Sequence, residues 1–492
     1  MLIDPALPRH VHLLGLGGAG VSGAARILAA RGHTVTGHDR AESELLRALG
    51  DLVAYSIGDS SAEALPGEAR LVARSAAVPD DDPQVRAARE RGLPVIKYAE
   101  LLGRLAPTGT GLAVAGTHGK TTTSWMLWHA LEALAIAGFG RVASAQPGAL
   151  VGGLNPKLAS NALPGDSGGW FAMEACEYDR SFLKLAPFGA IVTNIEADHL
   201  DYYGDLAAIE SAFASFLIRT DAGGLIVLGD NMPASVEAAA HAEVWRLGRE
   251  LTVLDDGPID GRRRFVLRGP GWATPPVHLA VPGAYNVENA ATALGLAIGL
   301  ATRNAPRRDW PRIAAVAAAG VMSFEGAGRR FESWGSFQGI PVVHDYAHHP
   351  TELAGLLSAA REAFEGRELC LLFQPHQASR TARLLDDFAA VLAPSASGAH
   401  ADQLIVAPVY GARLHIDGAH TAGAHELAAA VRALGGAAAS ADTLPRSIEA
   451  FADCLLSATN PVAFVVGAGD IEDARAPLFQ ALQTATSPQA NR

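Results

Sequence analysis

The run Val114-Ala115-Gly116-Thr117-His118-Gly119-Lys120-Thr121-Thr122-Thr123 constrains this chain more than any other, because it carries a short apolar strand into a glycine turn followed by a lysine and hydroxyls. Glycines let main-chain N–H groups close on phosphate oxygens, a lysine offers a point charge to the outer phosphates, and a hydroxyl at the next position can hold a magnesium ion. Gly116, Thr117, His118, Gly119, Lys120, Thr121 and Thr122 are therefore the candidate nucleotide-binding residues, and Mg-ATP is the expected ligand. The common phosphate loop has a glycine five residues before Gly119, where this chain has Val114, so the loop is a shorter variant. A glycine turn that merely caps a strand is the alternative.

A second glycine turn opens the chain. An apolar strand over 10–14 enters Gly15-Leu16-Gly17-Gly18-Ala19-Gly20, followed by a helical pattern to Arg31 and a strand over 34–37 that ends at Asp39. This is a Rossmann-type opening, in which Gly15, Gly17 and Gly20 allow the tight turn, close approach to a pyrophosphate and helix packing, and Asp39 can meet a ribose or base edge. Read alone it points to NAD, or to an ordinary strand-to-helix turn.

Further along, 71–73 and 94–96 read as strands and 84–91 as a helix, with a domain boundary near Pro107-Thr108-Gly109. Strands are expected at 170–173, 190–193 and 225–228, a loop over the Gly-, Ala- and Pro-rich stretch 138–168, and a helix over 286–301 opened by Asn286. Glu325-Gly326-Ala327-Gly328 then leads into a third α/β pattern, and 487–492 reads as a frayed tail. The fold class is α/β in three domains, 1–108, 109–325 and 326–492: Rossmann-like, P-loop ATPase-like and Rossmann-like.

Two acidic motifs follow strands of the central region. Glu174-Ala175-Cys176-Glu177 emerges where α/β sheets place ligand chemistry, and hard carboxylate oxygens suit the magnesium that a phosphate loop requires. Asn194-Ile195-Glu196-Ala197-Asp198-His199 repeats the arrangement, with His199 as a second metal ligand or phosphate partner. Such a set neutralises charge that accumulates during phosphoryl transfer.

Composition narrows the partners. The 492 residues are about half apolar and carry a formal charge of −12 without a long basic run, which argues against nucleic acid or an anionic membrane as the main partner. Lysine occurs four times, and one copy lies in the phosphate loop. Cys176, Cys370 and Cys454 are scattered and suggest neither a disulfide framework nor a structural zinc site, so a soluble cytoplasmic protein is expected.

The two glycine turns, both acidic motifs, Pro282-Gly283 with Asn286 and Asn289, Gly328-Arg329-Arg330-Phe331, Asp345-Tyr346-Ala347-His348-His349-Pro350-Thr351-Glu352 and Phe373-Gln374-Pro375-His376 occur in that order. In this the chain resembles the Mur ligases of bacterial cell-wall synthesis over nearly its whole length, most closely the alanine-adding branch. The resemblance implies that Gly15, Gly17, Gly18, Ala19, Gly20, Asp39 and Ser75 hold a UDP-sugar rather than NAD. It makes Thr121 and Glu174 ligands of one magnesium and His199 a holder of a second, with Lys120 on the outer phosphates and Asn289 facing the adenine. Arg330, Asp345 and Arg380 would reach the nucleotide, and Tyr346, His348 and His349 would line the amino-acid pocket. Lys120, Glu174, His199 and His348 are the expected catalytic set. The implied partners are UDP-N-acetylmuramate and L-alanine, joined through an acyl phosphate by a monomer or homodimer.

Three positions depart from the family pattern: Cys176 replaces an aspartate, and Gln377 and Ala382 occupy places where arginines are common. Arg380 and Arg383 are candidates to compensate. Rival readings are a recycling ligase that adds a whole tripeptide, a non-catalytic nucleotide-binding relative, and an NAD oxidoreductase that leaves two domains unexplained.

Overall fold

A computed structural model describes residues 7–106, 109–394, 398–411 and 422–486. Pro107 and Thr108 at the expected first boundary, and the expected tail 487–492, lie outside them. The chain divides into two compact units, one of Met1–Asp255, Phe265–His278 and Asn286–Glu325, the other of Asp256–Arg264, Leu279–Tyr285 and Gly326–Arg492.

In the first unit, His10–Leu14 (β1), Thr34–Asp39 (β2), Ala54–Ile57 (β3), Leu71–Arg74 (β4) and Val95–Lys97 (β5) form a sheet of order β3-β2-β1-β4-β5. All its pairs are parallel. The order reverses at β1, so the carboxyl ends of β1 and β4 flank the switch point at which such sheets take ligands. A helix, Ala19–Ala30, follows β1 directly.

The second sheet consists of Gly111–Ala115 (β6), Gly148–Asn155 (β7), Ser160–Leu163 (β8), Phe171–Glu174 (β9), Gly189–Val192 (β10), Leu225–Leu228 (β11) and Glu243–Arg246 (β12), in the order β12-β11-β10-β6-β9-β7-β8. Every residue of β6, β10 and β11 is buried, as parallel strands covered on both faces require. One hydrophobic core runs through both sheets, from Val11 and Leu13 to Ala113, Phe171 and Ile226.

The stretch 138–168, expected as a loop, contains β7 and β8. Its glycines permit close packing instead of disorder: β7 runs beside β9 with Gly148 opposite Phe171, whose ring lies 2.6 Å from where a Cβ would stand. The later helix is Ala284–Arg303, so it starts two residues before Asn286. Asn286 is buried there and accepts a hydrogen bond from Asn289 Nδ2 at 3.1 Å, a pairing inside the helix that a capping pattern does not reveal. Two eight-residue strands, Thr252–Ile259 (β13) and Arg262–Gly269 (β14), and two of two residues, Trp272–Ala273 (β15) and Val277–His278 (β16), precede this helix in the chain.

The second unit is built on Glu332–Phe337 (β17), Ile340–Asp345 (β18), Glu368–Gln374 (β19), Gln403–Val406 (β20), Ala438–Ser440 (β21) and Pro461–Gly467 (β22), ordered β17-β18-β22-β19-β20-β21. Strand β17 is antiparallel to β18, and the other pairs are parallel. Alternate residues of its strands enter two cores: Val343, Leu371 and Phe464 lie on one face, Val342, Leu372 and Val465 on the other.

Candidate active site

The phosphate loop joins β6 to the helix Lys120–Ile136, and its shape is fixed from the neighbouring strand end. Gly116 has φ +139° and a Cβ there would collide with Thr193 Oγ1, so glycine is required by both backbone and space. Thr117 N–H donates to Asn194 O at 3.0 Å, His118 N–H to Asn194 Oδ1 at 2.8 Å, and Thr193 Oγ1 to His118 O at 2.6 Å. Glu196 N–H returns a bond to Thr117 Oγ1 at 2.9 Å. The loop and the second acidic motif thus form one hydrogen-bonded body. Gly119, at φ +81°, starts the helix, and Asn289 lies so close that any Cβ at Gly119 would strike its amide.

Lys120 folds back over this loop. Its Nζ donates to Gly116 O at 2.6 Å and Thr117 O at 2.9 Å, and lies 2.8 Å from Glu177 Oε2. Burial is the largest single influence and lowers the ammonium pKa, but the surrounding anionic groups, Glu177 foremost, together turn the net shift upward. Thr121 Oγ1 donates to Glu174 Oε2 at 2.9 Å, and the same oxygen accepts Gly152 N–H at 2.8 Å. His199 Nε2 is 3.7 Å from Glu177 Oε1 and 3.8 Å from Asp198 Oδ2. His199 itself has φ +52° and precedes a short helix. Cys176, between the two glutamates, is exposed.

The glycine turn after β1 is held from the ends of β2 and β4. Gly15 has φ +75° and packs against Ser75, whose Cβ is 2.7 Å from where a Gly15 Cβ would stand. Gly17 N–H donates to Asp39 Oδ2 at 2.7 Å, Gly18 caps the helix, and Ala19 O accepts from Asn161. Gly20 faces Tyr98, with its ring 2.5 Å from a hypothetical Cβ. Ser75 follows β4, and its N–H donates to Leu14 O at 2.9 Å, which explains its presence beside a turn far away in sequence.

In the second unit, Arg330 lies 5.3 Å from the Tyr346 ring centroid and 3.6 Å from Glu352 Oε1. His348 N–H donates to Glu352 Oε2 at 2.9 Å, and the His348 and His376 rings meet edge to face at 5.7 Å. His376 stacks on Tyr410 and is 3.3 Å from Arg380 Nη1. His349 accepts Thr351 N–H at 3.3 Å and caps the helix Pro350–Ala363. Asp345 is buried and accepts N–H bonds from Phe331 and Ala347, both at 2.8 Å. Burial pushes its carboxyl up to about 6, against the pull of Arg330 and those two donors.

Sequence reasoning did not assign Glu177 to Lys120, Glu352 to Arg330 and His348, or Tyr410 to His376. Glu352 lies in the first turn of the helix that His349 caps, where a carboxylate reaches back to an N–H before the helix, a capping spacing that could have been read. Tyr410 carried no local signal.

Known proteins show the same organisation. Family models described as Mur ligase family, catalytic domain, Mur ligase middle domain, and Mur ligase, glutamate ligase domain match residues 10–109, 114–297 and 329–471. The UDP-N-acetylmuramate–L-alanine ligase of Variovorax paradoxus is 37% identical over 421 residues, covering 82% of this chain and 81% of that protein. The chain belongs to the Mur ligase family. Another relative of this Mur ligase, the UDP-N-acetylmuramate–L-alanine ligase of Renibacterium salmoninarum, is 37% identical over 494 residues, with 96% of both chains covered. The crystal structure of the UDP-N-acetylmuramate-alanine ligase MurC from Thermotoga maritima superposes with a TM-score of 0.74 at 25% identity, covering 97% of this chain and all of that one. A murein peptide ligase from Psychrobacter arcticus shares the fold, with a TM-score of 0.67 at 21% identity over 98% of this chain. The three-domain α/β architecture is that of the Mur ligases. Among the described residues of this Mur ligase, no helix is long and apolar enough to cross a membrane.

Proposed function

We propose that this Mur ligase joins L-alanine to the carboxylate of UDP-N-acetylmuramate, converting ATP to ADP and phosphate. It is an ATP-dependent acid–amino-acid ligase acting on small molecules in peptidoglycan precursor synthesis. The observation that carries the reading is the phosphate loop itself, where Lys120 and the Thr121–Glu174 pair stand together at the helix start, in a chain whose full-length relatives carry that ligase name.

The muramyl carboxylate attacks the γ-phosphorus of ATP, giving an acyl phosphate, and the free amine of L-alanine then displaces phosphate to form the amide. Lys120 offsets charge on the transferring phosphoryl group. The oxygens of Thr121 and Glu174, 2.9 Å apart, are a donor set suited to a hard cation. Magnesium held there would neutralise phosphate charge, and His199 with Glu177 would serve a second ion. Asn289, Arg330, Asp345 and Arg380 are assigned to the nucleotide, Gly15 to Gly20 with Asp39 and Ser75 to the UDP-sugar, and Tyr346, His348 and His349 to alanine. The corresponding domains are 1–108, 109–325 and 326–492, in a cytoplasmic enzyme that is a monomer or homodimer.

Purified protein incubated with ATP, magnesium and UDP-N-acetylmuramate should release phosphate on addition of L-alanine. Turnover with the tripeptide but none with alanine would assign the recycling reaction instead.

A further inference from the structure

Tyr98 is absent from every role given so far, yet it stands beside the first glycine turn. It opens the helix Tyr98–Leu105 immediately after β5, the strand next to β4. Its ring covers Gly20, with Cζ 2.5 Å and the hydroxyl 2.8 Å from the point a Cβ would occupy. A side chain at position 20 is thereby excluded, and the phenol is held against the first turn of the helix Ala19–Ala30. One side of the ring packs on the core shared by the two sheets. Among the described residues its hydroxyl makes no hydrogen bond, and it is not one of the wholly buried unpaired polar atoms, so it is open to solvent or to a ligand.

The surroundings decide what that hydroxyl can bind. Burial, followed by the carboxylate of Glu174, raises the phenol pKa, so the group stays protonated and is a donor. Gly15, Gly17 and Gly18 N–H are taken up by His38 O, Asp39 Oδ2 and Gly15 O, so the start of the helix Ala19–Ala30 and the phenolic donor are the groups complementary to an oxyanion.

We propose that Tyr98 is a positioning residue for the UDP-sugar, its hydroxyl donating a hydrogen bond to an anionic oxygen of the substrate beside Gly20. The proposal rests on the ligase reading above. It assigns Tyr98 to ground-state binding of the sugar nucleotide, not to ATP or alanine.

Tyr98→Phe keeps the ring over Gly20 and removes the hydroxyl alone. Steady-state kinetics on the full chain should give a KM for UDP-N-acetylmuramate about tenfold higher, the loss expected for a hydrogen bond to a charged group. KM for ATP and L-alanine, and the melting temperature, should be unchanged, and calorimetric titration with UDP-N-acetylmuramate should show the same tenfold loss. An unchanged UDP-sugar KM in an active variant overturns the role of Tyr98 and leaves the ligase reading intact. A fall in kcat with KM unchanged also overturns it, since the hydroxyl would then act in the transition state. Wild-type protein that neither binds nor turns over UDP-N-acetylmuramate overturns both.

Discussion

Lys120 Nζ and Glu177 Oε2 are 2.8 Å apart, with both side chains almost wholly withdrawn from solvent. The lysine expected to reach for phosphate is therefore held, in this state, by a carboxylate and two loop carbonyls. On the proposed assignment, binding a nucleotide would exchange one anion for another around the same ammonium.

Two consequences follow for Lys120→Ala. Turnover should fall by at least ~10²-fold, as loss of a charge aimed at the transition state does. Stability should fall as well, because Glu177 is left buried without its cation, a loss of about 3–5 kcal/mol for a broken buried pair. Adding Glu177→Gln should restore much of the stability and none of the activity. Urea unfolding and phosphate release measure the two effects, and a folded Lys120→Ala protein with near-normal turnover would reject the loop assignment.

Glu174 organises the other half of the site by accepting from both Thr121 and Gly152. Glu174→Gln should retain the fold while raising the magnesium concentration needed for half-maximal ATP binding by more than about tenfold, at least the effect of losing an outer-shell partner. Titrating magnesium against fluorescent-nucleotide binding tests this. Equal magnesium dependence in the two proteins would move the metal elsewhere.

Much of this was legible in the chain because each site motif follows a strand directly. The strand 225–228 was read at its true bounds, and the turns after β1 and β6 were found from glycines whose positive φ the structure confirms at Gly15, Gly116 and Gly119. What stayed hidden was pairing at a distance. Glycine-rich β7 looks like loop because its partner Phe171 fills the space its own side chains lack, and the contact of Ser75 with Gly15 depends on strand order, which no local pattern encodes.

Cys176 is the clearest departure from the family pattern, and its exposure bears on whether the site is altered. Thr121, Glu174, Glu177 and Lys120 keep their contacts without a carboxylate at this position. Cys176→Asp should therefore change turnover by less than about tenfold, ~1.4 kcal/mol in barrier. A natural protein that is inactive until the aspartate is introduced would identify a decayed site.

Acid sensitivity has a source remote from the substrates. His129, on the helix that follows the phosphate loop, accepts from Asn155 at 3.0 Å through Nε2 and reaches Ser323 Oγ through Nδ1 at the same distance. Burial lowers its pKa from 6.5 to about 4, so the imidazole is neutral in the fold and must be protonated on unfolding below 6.5. The unfolded chain then binds the extra proton, and the stability this group contributes is complete above pH 6.5 and lost as pH falls through about 4. The full loss amounts to roughly 3 kcal/mol at 1.36 kcal/mol per unit. His12 and His344, each lowered to about 4 chiefly by burial, act in the same direction. Melting temperature should therefore fall between pH 7 and pH 5. His129→Gln, which can still bond Asn155 and Ser323 but does not titrate, should flatten that dependence by up to one proton, and an unchanged slope would mean that His129 is not the buried neutral group inferred from its contacts.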